Sequence, residues 1–282
     1  MTSASVKQVL GGSIPAVAGW LTCLLVSVPA CAPEQPMYRE VVPGIEILAG
    51  DSAHVLTGLR VGLITNHTGL SRDGTPAAQL LLDAGIDVRV LLAPEHGLRG
   101  REQPGEVVRD TIDPASGLPV HSLYGERRIP DPALLQALDA LVFDVQDVGA
   151  RYYTYVSTMA EAMRAAAGSG LLFVVADRPN PIGGDLVQGN VLDSAFASFV
   201  GLFPVPMRHG MTAGELALMF NREFRIGARL LVVPASGWAR SAWADETGLP
   251  WIPTSPNMPD LESVTHYPGI CLFEGTGLSV GR

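Results

Sequence analysis

Residues 86–100 read Ile-Asp-Val-Arg-Val-Leu-Leu-Ala-Pro-Glu-His-Gly-Leu-Arg-Gly. The apolar run over residues 86–92 predicts a buried β-strand, which stops abruptly before Pro94, Glu95 and His96. An open parallel sheet binds its ligands at the carboxyl ends of its strands. An acid and an imidazole directly after such a strand therefore indicate a functional site.

Three further apolar runs also end in polar residues. These runs are residues 61–64 before Asn66, residues 141–143 before Asp144, and residues 171–176 before Asp177. Because the carboxyl ends of parallel strands lie along one edge of a sheet, the four runs predict a single shared pocket rim.

The strand-like runs are almost continuously apolar, which is typical of strands that are buried on both faces. Predicted helices alternate with them and have recognisable termini, such as Thr75-Pro76 and Gly85 around one helix and a Thr212–Glu215 capping box before another. The predicted helices span residues 77–84, 132–138, 153–167 (ended by Gly168) and 213–224, and residues 230–233 form a further strand. This alternation predicts an α/β fold with a doubly wound, mostly parallel sheet.

The composition is that of a globular protein, with 282 residues, 47% hydrophobic residues and a formal net charge of −9. The acidic balance argues against a nucleic-acid partner. No Gly-x-Gly-x-x-Gly follows the first strand, and no P-loop motif occurs. The histidines occur singly, so we expect neither a metal site nor a cofactor.

The amino-terminal segment is typical of an export signal. Lys7 precedes residues 14–30, an uncharged and mostly apolar stretch, and Val28-Pro29-Ala30-Cys31 resembles a bacterial lipoprotein box. We interpret residues 1–31 as a signal peptide with lipid on Cys31, residues 32–44 as a tether and residues 45–282 as the folded part. A retained membrane anchor is the alternative. Localisation would be the cell envelope, or the periplasm or medium.

The carboxyl-terminal part differs from the rest. Residues 237–282 are rich in tryptophan and proline and predict an irregular, loop-rich segment that ends in a glycine-rich stretch from Glu274 onward. Loss of Cys23 with the signal would leave Cys271 as the one unmodified cysteine, so no intrachain disulfide is expected. Cys271 is interpreted as a small buried hydrophobic residue rather than a nucleophile.

Glu95 is the first candidate for catalysis. A carboxyl in an apolar cleft can act as a general acid near neutral pH. Alternatively, Glu95 accepts backbone amides or pairs with Arg99 or Arg101. His96 either orients Glu95 or packs in the core.

Asp144, Gln146 and Asp147 lie at the end of another strand. They could bind sugar hydroxyls or a metal, or form ion pairs with Arg151 or Arg178. The nearby tyrosines at 152, 153 and 155 could stack on a sugar ring or simply belong to the core.

Two further segments carry polar groups. Asp177-Arg178-Pro179-Asn180 forms a rigid loop, which could position a ligand or be only a turn. Arg208-His209 precedes the capped helix, where Arg208 could hold a substrate carboxylate or form a structural salt bridge. Glu274 is a candidate partner for Glu95.

The motifs together resemble one family, the bacterial exo-β-N-acetylmuramidases. The matching phrases begin at Gly62, Pro94, Leu118, Phe143, Asp177, Arg208, Ser255 and Tyr267. The resemblance covers residues 45–282 in order, although Gly277 stands where asparagine is expected.

The resemblance implies a Rossmann-like domain followed by a smaller carboxyl-terminal domain, most of which would lie beyond Arg282, with the site in the cleft between the two. It also implies release of N-acetylmuramic acid from the non-reducing ends of peptidoglycan fragments in cell-wall turnover. A non-catalytic, exported muropeptide-binding lipoprotein is the alternative function. Peptidoglycan-derived saccharides are the expected partners.

From chemistry and motif position we predict that Glu95 is the general acid, with Glu274 as its partner and Asp144 as the third acid. The lactyl carboxylate of the sugar would bind Arg178, Arg208 or Arg151. The full predicted set of substrate-binding residues is Asn66, His96, Arg99, Gln146, Asp147, Arg151, Tyr153, Asp177, Arg178, Asn180, Arg208, His209 and Asn257.

Overall fold

The computed structural model describes residues 40–103, 105–106 and 109–276. The fold is built on a sheet of seven strands in the order β3-β4-β2-β1-β5-β6-β7. The strands are β1 (Arg60–Thr65), β2 (Asp87–Ala93), β3 (Thr111–Ile112), β4 (Pro119–Ser122), β5 (Ala140–Asp144), β6 (Leu172–Ala176) and β7 (Arg229–Val233). All adjacent pairs are parallel except the short edge pair β3–β4.

The order of the six parallel strands identifies the topology. Counted in chain order, they run 3-2-1-4-5-6 across the sheet, which is the order of the Rossmann fold. The predicted α/β, doubly wound and mostly parallel architecture is therefore confirmed. The direction of winding reverses between β1 and β5, and ligands of such sheets bind in the crevice beyond that point.

Helices cover both faces of the sheet, as the apolar strands require. The helices are α1 (Gly44–Ala49), α2 (Ala77–Asp83), α3 (Pro132–Leu135), α4 (Thr154–Ser169), α5 (Ala213–Glu223) and α6 (Leu261–Ile270). One core lies under α3, α4 and α5, and the other lies under α1 and α2. Within the ranges that the structure describes, no helix is long and apolar enough to cross a membrane.

Several predicted helix termini are confirmed and others are wrong. The Thr212–Glu215 capping box opens α5 as predicted. Before α2, however, Pro76 occupies the N-cap and Thr75 makes no capping bond. Gly168 lies inside α4, which ends instead at Gly170 with a left-handed φ of 72°. The helix predicted for residues 132–138 begins as predicted, with Asp131 as its N-cap, but it ends at Leu135.

Two parts of the chain are more ordered than their sequence indicates. The predicted tether reaches into the fold, since Val42 bridges to Ser236 and α1 begins at Gly44. Gly44 is required there because a Cβ atom would lie 2.3 Å from the Val233 carbonyl oxygen. The segment from residue 237 onward contains α6, whose start is capped by Asp260. The predicted signal peptide, including Cys23 and Cys31, lies outside the described residues.

Candidate active site

The sheet order brings the polar strand ends together. Residues that follow β1 lie between those that follow β2 and β5, because β1 pairs with both strands. Asn66, Glu95, Asp144 and Asp177 are all buried at this edge. The predicted common rim is therefore present, although most of its polar groups bond to one another.

Glu95 lies just beyond β2 and is only 7% exposed. One carboxylate oxygen accepts a 2.6 Å hydrogen bond from the Thr154 hydroxyl, and the other accepts a 3.3 Å bond from the Gly105 amide. Thr154 is the first residue of α4, so the carboxylate also lies at the positive end of a 16-residue helix. Burial and the neighbouring Glu95 carboxylate raise the pKa of Tyr124 to about 12.

The alternative pairings of Glu95 are settled by its neighbours. The backbone-amide contact is present at Gly105, whereas Arg99 pairs with Asp113. His96 donates from Nδ1 to the Glu102 carbonyl at 2.8 Å and packs edge-on against Tyr155 at 6.5 Å between ring centroids. These contacts agree with the packing interpretation of His96, whose backbone has a left-handed φ of 68°.

The tyrosines at the start of α4 tie it to the carboxyl-terminal segment. The buried hydroxyls of Tyr153 and Tyr155 donate to the Thr254 hydroxyl and carbonyl at 2.8 and 2.7 Å. Their rings make a T-shaped contact at 4.8 Å, and Tyr153 makes another with Tyr267 at 5.8 Å. Tyr153 therefore belongs to a buried aromatic row beside Glu95, with its hydroxyl already engaged.

Asp144 forms a buried ion pair with Arg178. Both of its carboxylate oxygens accept bonds from the guanidinium, at 2.6 and 2.9 Å, and the Asp144 side chain is fully enclosed. Burial raises the pKa of Asp144, while Arg178 opposes that shift. Arg178 also donates to the Leu70 carbonyl at 2.9 Å. The ion-pair alternative is thus confirmed for Asp144, and its direct role in catalysis stays a prediction.

The side chains of Asp177 and Asn180 form hydrogen bonds to the segment at the start of α5. Asp177 accepts from the Thr212 hydroxyl at 2.6 Å and from the Gly214 amide at 2.8 Å, which fastens β6 to the start of α5. Asn180 donates to the Met211 carbonyl at 2.9 Å. These contacts support the interpretation of the 177–180 loop as a structural turn.

Asp147 and His209 lie close together but form no hydrogen bond with each other. The His209 Nδ1 atom accepts from the Met211 amide at 3.2 Å, so Nε2 carries the proton in the neutral ring and lies 3.6 Å from the Asp147 carboxylate. The His209 Nε2 and Asp147 Oδ1 atoms are buried without a hydrogen-bond partner. Gln146 donates to the Pro179 carbonyl at 2.9 Å.

Arg151 and Arg208 are engaged by carbonyl oxygens rather than by acids. Arg151 donates to the Asn190 carbonyl at 2.7 Å and also to Val205. Arg208 donates to the Ile182 carbonyl and, at 3.1 Å, to the Gln188 side chain. The predicted salt bridge of Arg208 is therefore replaced by backbone contacts.

Glu274 and Asn257 lie at a different place. Glu274 is exposed in a short 3₁₀ turn, and both residues line a cavity along α6 together with Tyr267. Burial, followed by the Cys271 thiol and more weakly by Glu274, raises the pKa of Tyr267. Glu274 is thus next to the far end of the tyrosine row from Glu95.

Three residues near Glu95 were missed from the predicted site: Tyr124, Thr154 and Thr254. Tyr124 falls in one of the family-like phrases, and Thr154 directly follows the predicted Tyr153, so motif position could have indicated both. Thr254 carried no usable signal because its role arises only from the folding of a distant loop. Among the residues the structure describes, no group of three or more His, Cys, Asp or Glu side chains could hold a metal ion.

Fold and site together define a Rossmann-like α/β protein with an enclosed acid at the carboxyl edge of its sheet. The sequence model of the family described as exo-beta-N-acetylmuramidase NamZ, N-terminal, matches residues 61–262, and the chain belongs to this family.

The chain is also similar to individual members. Peptidoglycan beta-N-acetylmuramidase NamZ of Bacillus subtilis (strain 168) is 48% identical over 244 residues, which are 86% of this chain and 59% of that protein. Two crystal structures of DUF1343 family proteins from Bacteroides fragilis NCTC 9343 have TM-scores of 0.76 and 0.73, with 43% and 37% identity. They cover 82% and 86% of this chain, which covers 60% and 64% of theirs. The chain therefore spans less than two thirds of each relative.

We predict that Arg178→Met destabilises the fold by about 3–5 kcal/mol, because it leaves the Asp144 carboxylate buried without its counter-charge. Urea unfolding followed by circular dichroism measures the change. Arg222→Met is the matched control, since Arg222 is 87% exposed beside Glu223 and should change stability little. Similar unfolding midpoints for the two variants would contradict the prediction.

The second prediction concerns pH. Burial raises the pKa of Asp177 to about 6. The folded protein therefore binds this proton more tightly than the unfolded chain does, so the stabilisation present at low pH is lost as the pH rises through about 6. We expect the free energy of unfolding of the wild type to fall relative to Asp177→Asn over this range. Asp185→Asn, at an exposed carboxyl, should run parallel to the wild type, and parallel curves for Asp177→Asn would refute the assignment.

Proposed function

We propose that this chain is the catalytic domain of a glycoside hydrolase that releases N-acetylmuramic acid from the non-reducing ends of peptidoglycan fragments during cell-wall turnover. The family match and the activity named for the Bacillus subtilis relative support this proposal. The observation that carries it within the structure is the enclosed Glu95 carboxyl at the sheet edge where Rossmann-like folds bind ligands.

The surroundings of Glu95 suit an acid–base group. The Gly105 amide and the Thr154 hydroxyl fix one carboxylate oxygen each, so the carboxyl plane is held in one orientation. A hydroxyl can donate to a carboxylate or accept from a protonated acid by rotating its hydrogen. The Thr154 contact can therefore persist while Glu95 gives up and regains a proton. In the proposed reaction Glu95 protonates the glycosidic oxygen of the leaving group.

Glycoside cleavage usually needs a second carboxyl on the other side of the scissile bond. We propose Glu274 for this role rather than Asp144. The proposal requires Glu274 to come closer to Glu95 when substrate binds, because the two acids lie at opposite ends of the tyrosine row. Asp144 uses both oxygens in its ion pair with Arg178, whereas Glu274 is exposed and lines a cavity. Glu274→Gln should therefore lower turnover, whereas Asp144→Asn should mainly lower the stability of the fold.

We predict that Glu95→Gln lowers turnover of a chromogenic β-N-acetylmuramoside by about 10²–10⁴-fold, because the amide cannot deliver the proton that the leaving group needs. Release of the chromophore and of free N-acetylmuramic acid is measured on matched preparations. Glu223→Gln serves as the control, since its side chain is 58% exposed at the end of α5, and it should retain wild-type turnover. Full turnover by the Glu95 variant would remove Glu95 from the chemistry.

We also propose that the protein is exported and carries lipid on Cys31. The support is the apolar stretch over residues 14–30 and the small Ala30 before the cysteine. Cells that express the full sequence should incorporate labelled fatty acid into the protein, and Cys31→Ser should abolish that label. Cys271→Ser is the control and should keep it. Equal labelling of both variants would overturn the lipid assignment.

A further inference from the structure

A cavity of about 360 Å³ lies at the carboxyl ends of β1 and β2, on the face of the sheet that α2 covers. We call it the β1–β2 cavity. Its wall includes Asn66, His67, Ala78, Leu98, Arg99 and Ser116. This volume is in the range of small-molecule sites, and the mixture of apolar side chains with a few polar groups is typical of them.

Arg99 is the cation of this wall. Its guanidinium donates to the Asp113 carboxylate, and its side chain is 53% exposed. A guanidinium has five N–H donors in a planar fork, so one edge can stay on Asp113 while another receives a second oxyanion. Asp113 itself is held by the Ser116 amide and hydroxyl at 3.0 and 2.7 Å. Asp113 therefore holds the Arg99 guanidinium in place, and other N–H donors of the guanidinium remain for a ligand.

The arginines that the sequence indicated for the substrate carboxylate are placed differently. Arg178 donates from Nε and Nη2 to the two carboxylate oxygens of Asp144, and Arg151 and Arg208 donate to carbonyl oxygens. Arg178 and Arg208 are also buried, at 6% and 9% exposure. Arg178 and Arg208 are thus enclosed within the fold, whereas Arg99 is about half exposed and keeps an open guanidinium edge on the cavity wall.

We propose that the β1–β2 cavity receives the acidic substituent of the sugar and that Arg99 recognises its carboxylate. This inference rests on the proposed function, because it takes the lactyl ether of N-acetylmuramic acid as the ligand group. The apolar wall from Ala78 and Leu98 contacts the lactyl methyl group, and the Arg99 fork binds the two carboxylate oxygens. Arg99 thereby distinguishes N-acetylmuramic acid from N-acetylglucosamine, which lacks this substituent.

The position of the cavity relative to Glu95 fits this assignment. Glu95 and Arg99 lie on the same short loop after β2, and that loop passes close to the end of β1, since a Cβ atom on Gly100 would overlap the His67 ring. Asn66 belongs to both regions, since it lines the cavity and its side chain also interacts with Tyr155, which is close to Glu95. A sugar bound at this edge of the sheet can thus place its glycosidic bond near Glu95 and its acidic substituent near Arg99.

The test compares two free sugars by NMR titration of the full chain. We expect N-acetylmuramic acid to bind about tenfold or more tightly than N-acetylglucosamine, as a charge-assisted hydrogen bond predicts. Arg99→Gln should remove that preference and leave the affinity for N-acetylglucosamine unchanged. Arg89→Gln is the control, because Arg89 is also an exposed arginine paired with an aspartate on β2, and it should keep the preference.

A second variant, Ala78→Leu, keeps the test decisive if Arg99→Gln fails to fold. Ala78→Leu places a larger side chain in the cavity, leaves both members of the Arg99–Asp113 pair unchanged in sequence, and should weaken binding of N-acetylmuramic acid. Equal or undetectable binding of the two sugars by the unchanged chain overturns the inference, as does a preference that survives both variants. Hydrolysis assays on the same preparations separate the proposals. Turnover without sugar preference contradicts only the Arg99 assignment, and an Arg99-dependent preference without turnover contradicts only the enzymatic function.

Discussion

The Asp144–Arg178 ion pair is the constraint on which the carboxyl edge of the sheet depends. It joins the end of β5 to the loop after β6, and through the Leu70 carbonyl it also holds the loop after β1. Two charges at this depth are tolerated only because each satisfies the other with two well-formed bonds. The pair fixes the three strand ends around the reversal point of the sheet, and its bonds engage both carboxylate oxygens of Asp144.

Most polar side chains described at this edge of the sheet form hydrogen bonds within the fold. Asp177 accepts from the start of α5, Asn180 donates to the Met211 carbonyl just before α5, and Arg151 and Arg208 donate to backbone carbonyls. Two groups are placed differently, Glu95 with its hydroxyl and amide donors and Arg99 on an open cavity wall. Many polar side chains of the family-typical motifs thus bond within the fold, and Glu95 and Arg99 are among those for which we propose roles.

The architecture could be predicted from the sequence because it depends on local signals. Continuous apolar runs gave buried parallel strands, and the Thr212–Glu215 box correctly opened a helix. The division of polar residues between scaffold and site could not be predicted, because it depends on which distant groups meet. Asp144 and Glu95 both follow buried strands, and only the fold shows that one meets a guanidinium and the other a hydroxyl. Likewise Gly168 and Gly170 look alike in sequence, and tertiary packing decides that the helix ends at the second.

The contacts of residues 253–254 have a mechanical consequence. The Pro253 carbonyl accepts from the His67 ring at 2.6 Å, and Thr254 receives the hydroxyls of Tyr153 and Tyr155. The same first turn of α4 carries Thr154, which holds Glu95. Displacement of this loop would be transmitted to the acid through a single rigid turn. By thermodynamic reciprocity, a ligand that stabilises the Thr154–Glu95 contact also disfavours local opening of the 253–254 loop. Protection of the Thr254 amide from hydrogen exchange would therefore report ligand binding at Glu95, although Thr254 need not contact the ligand.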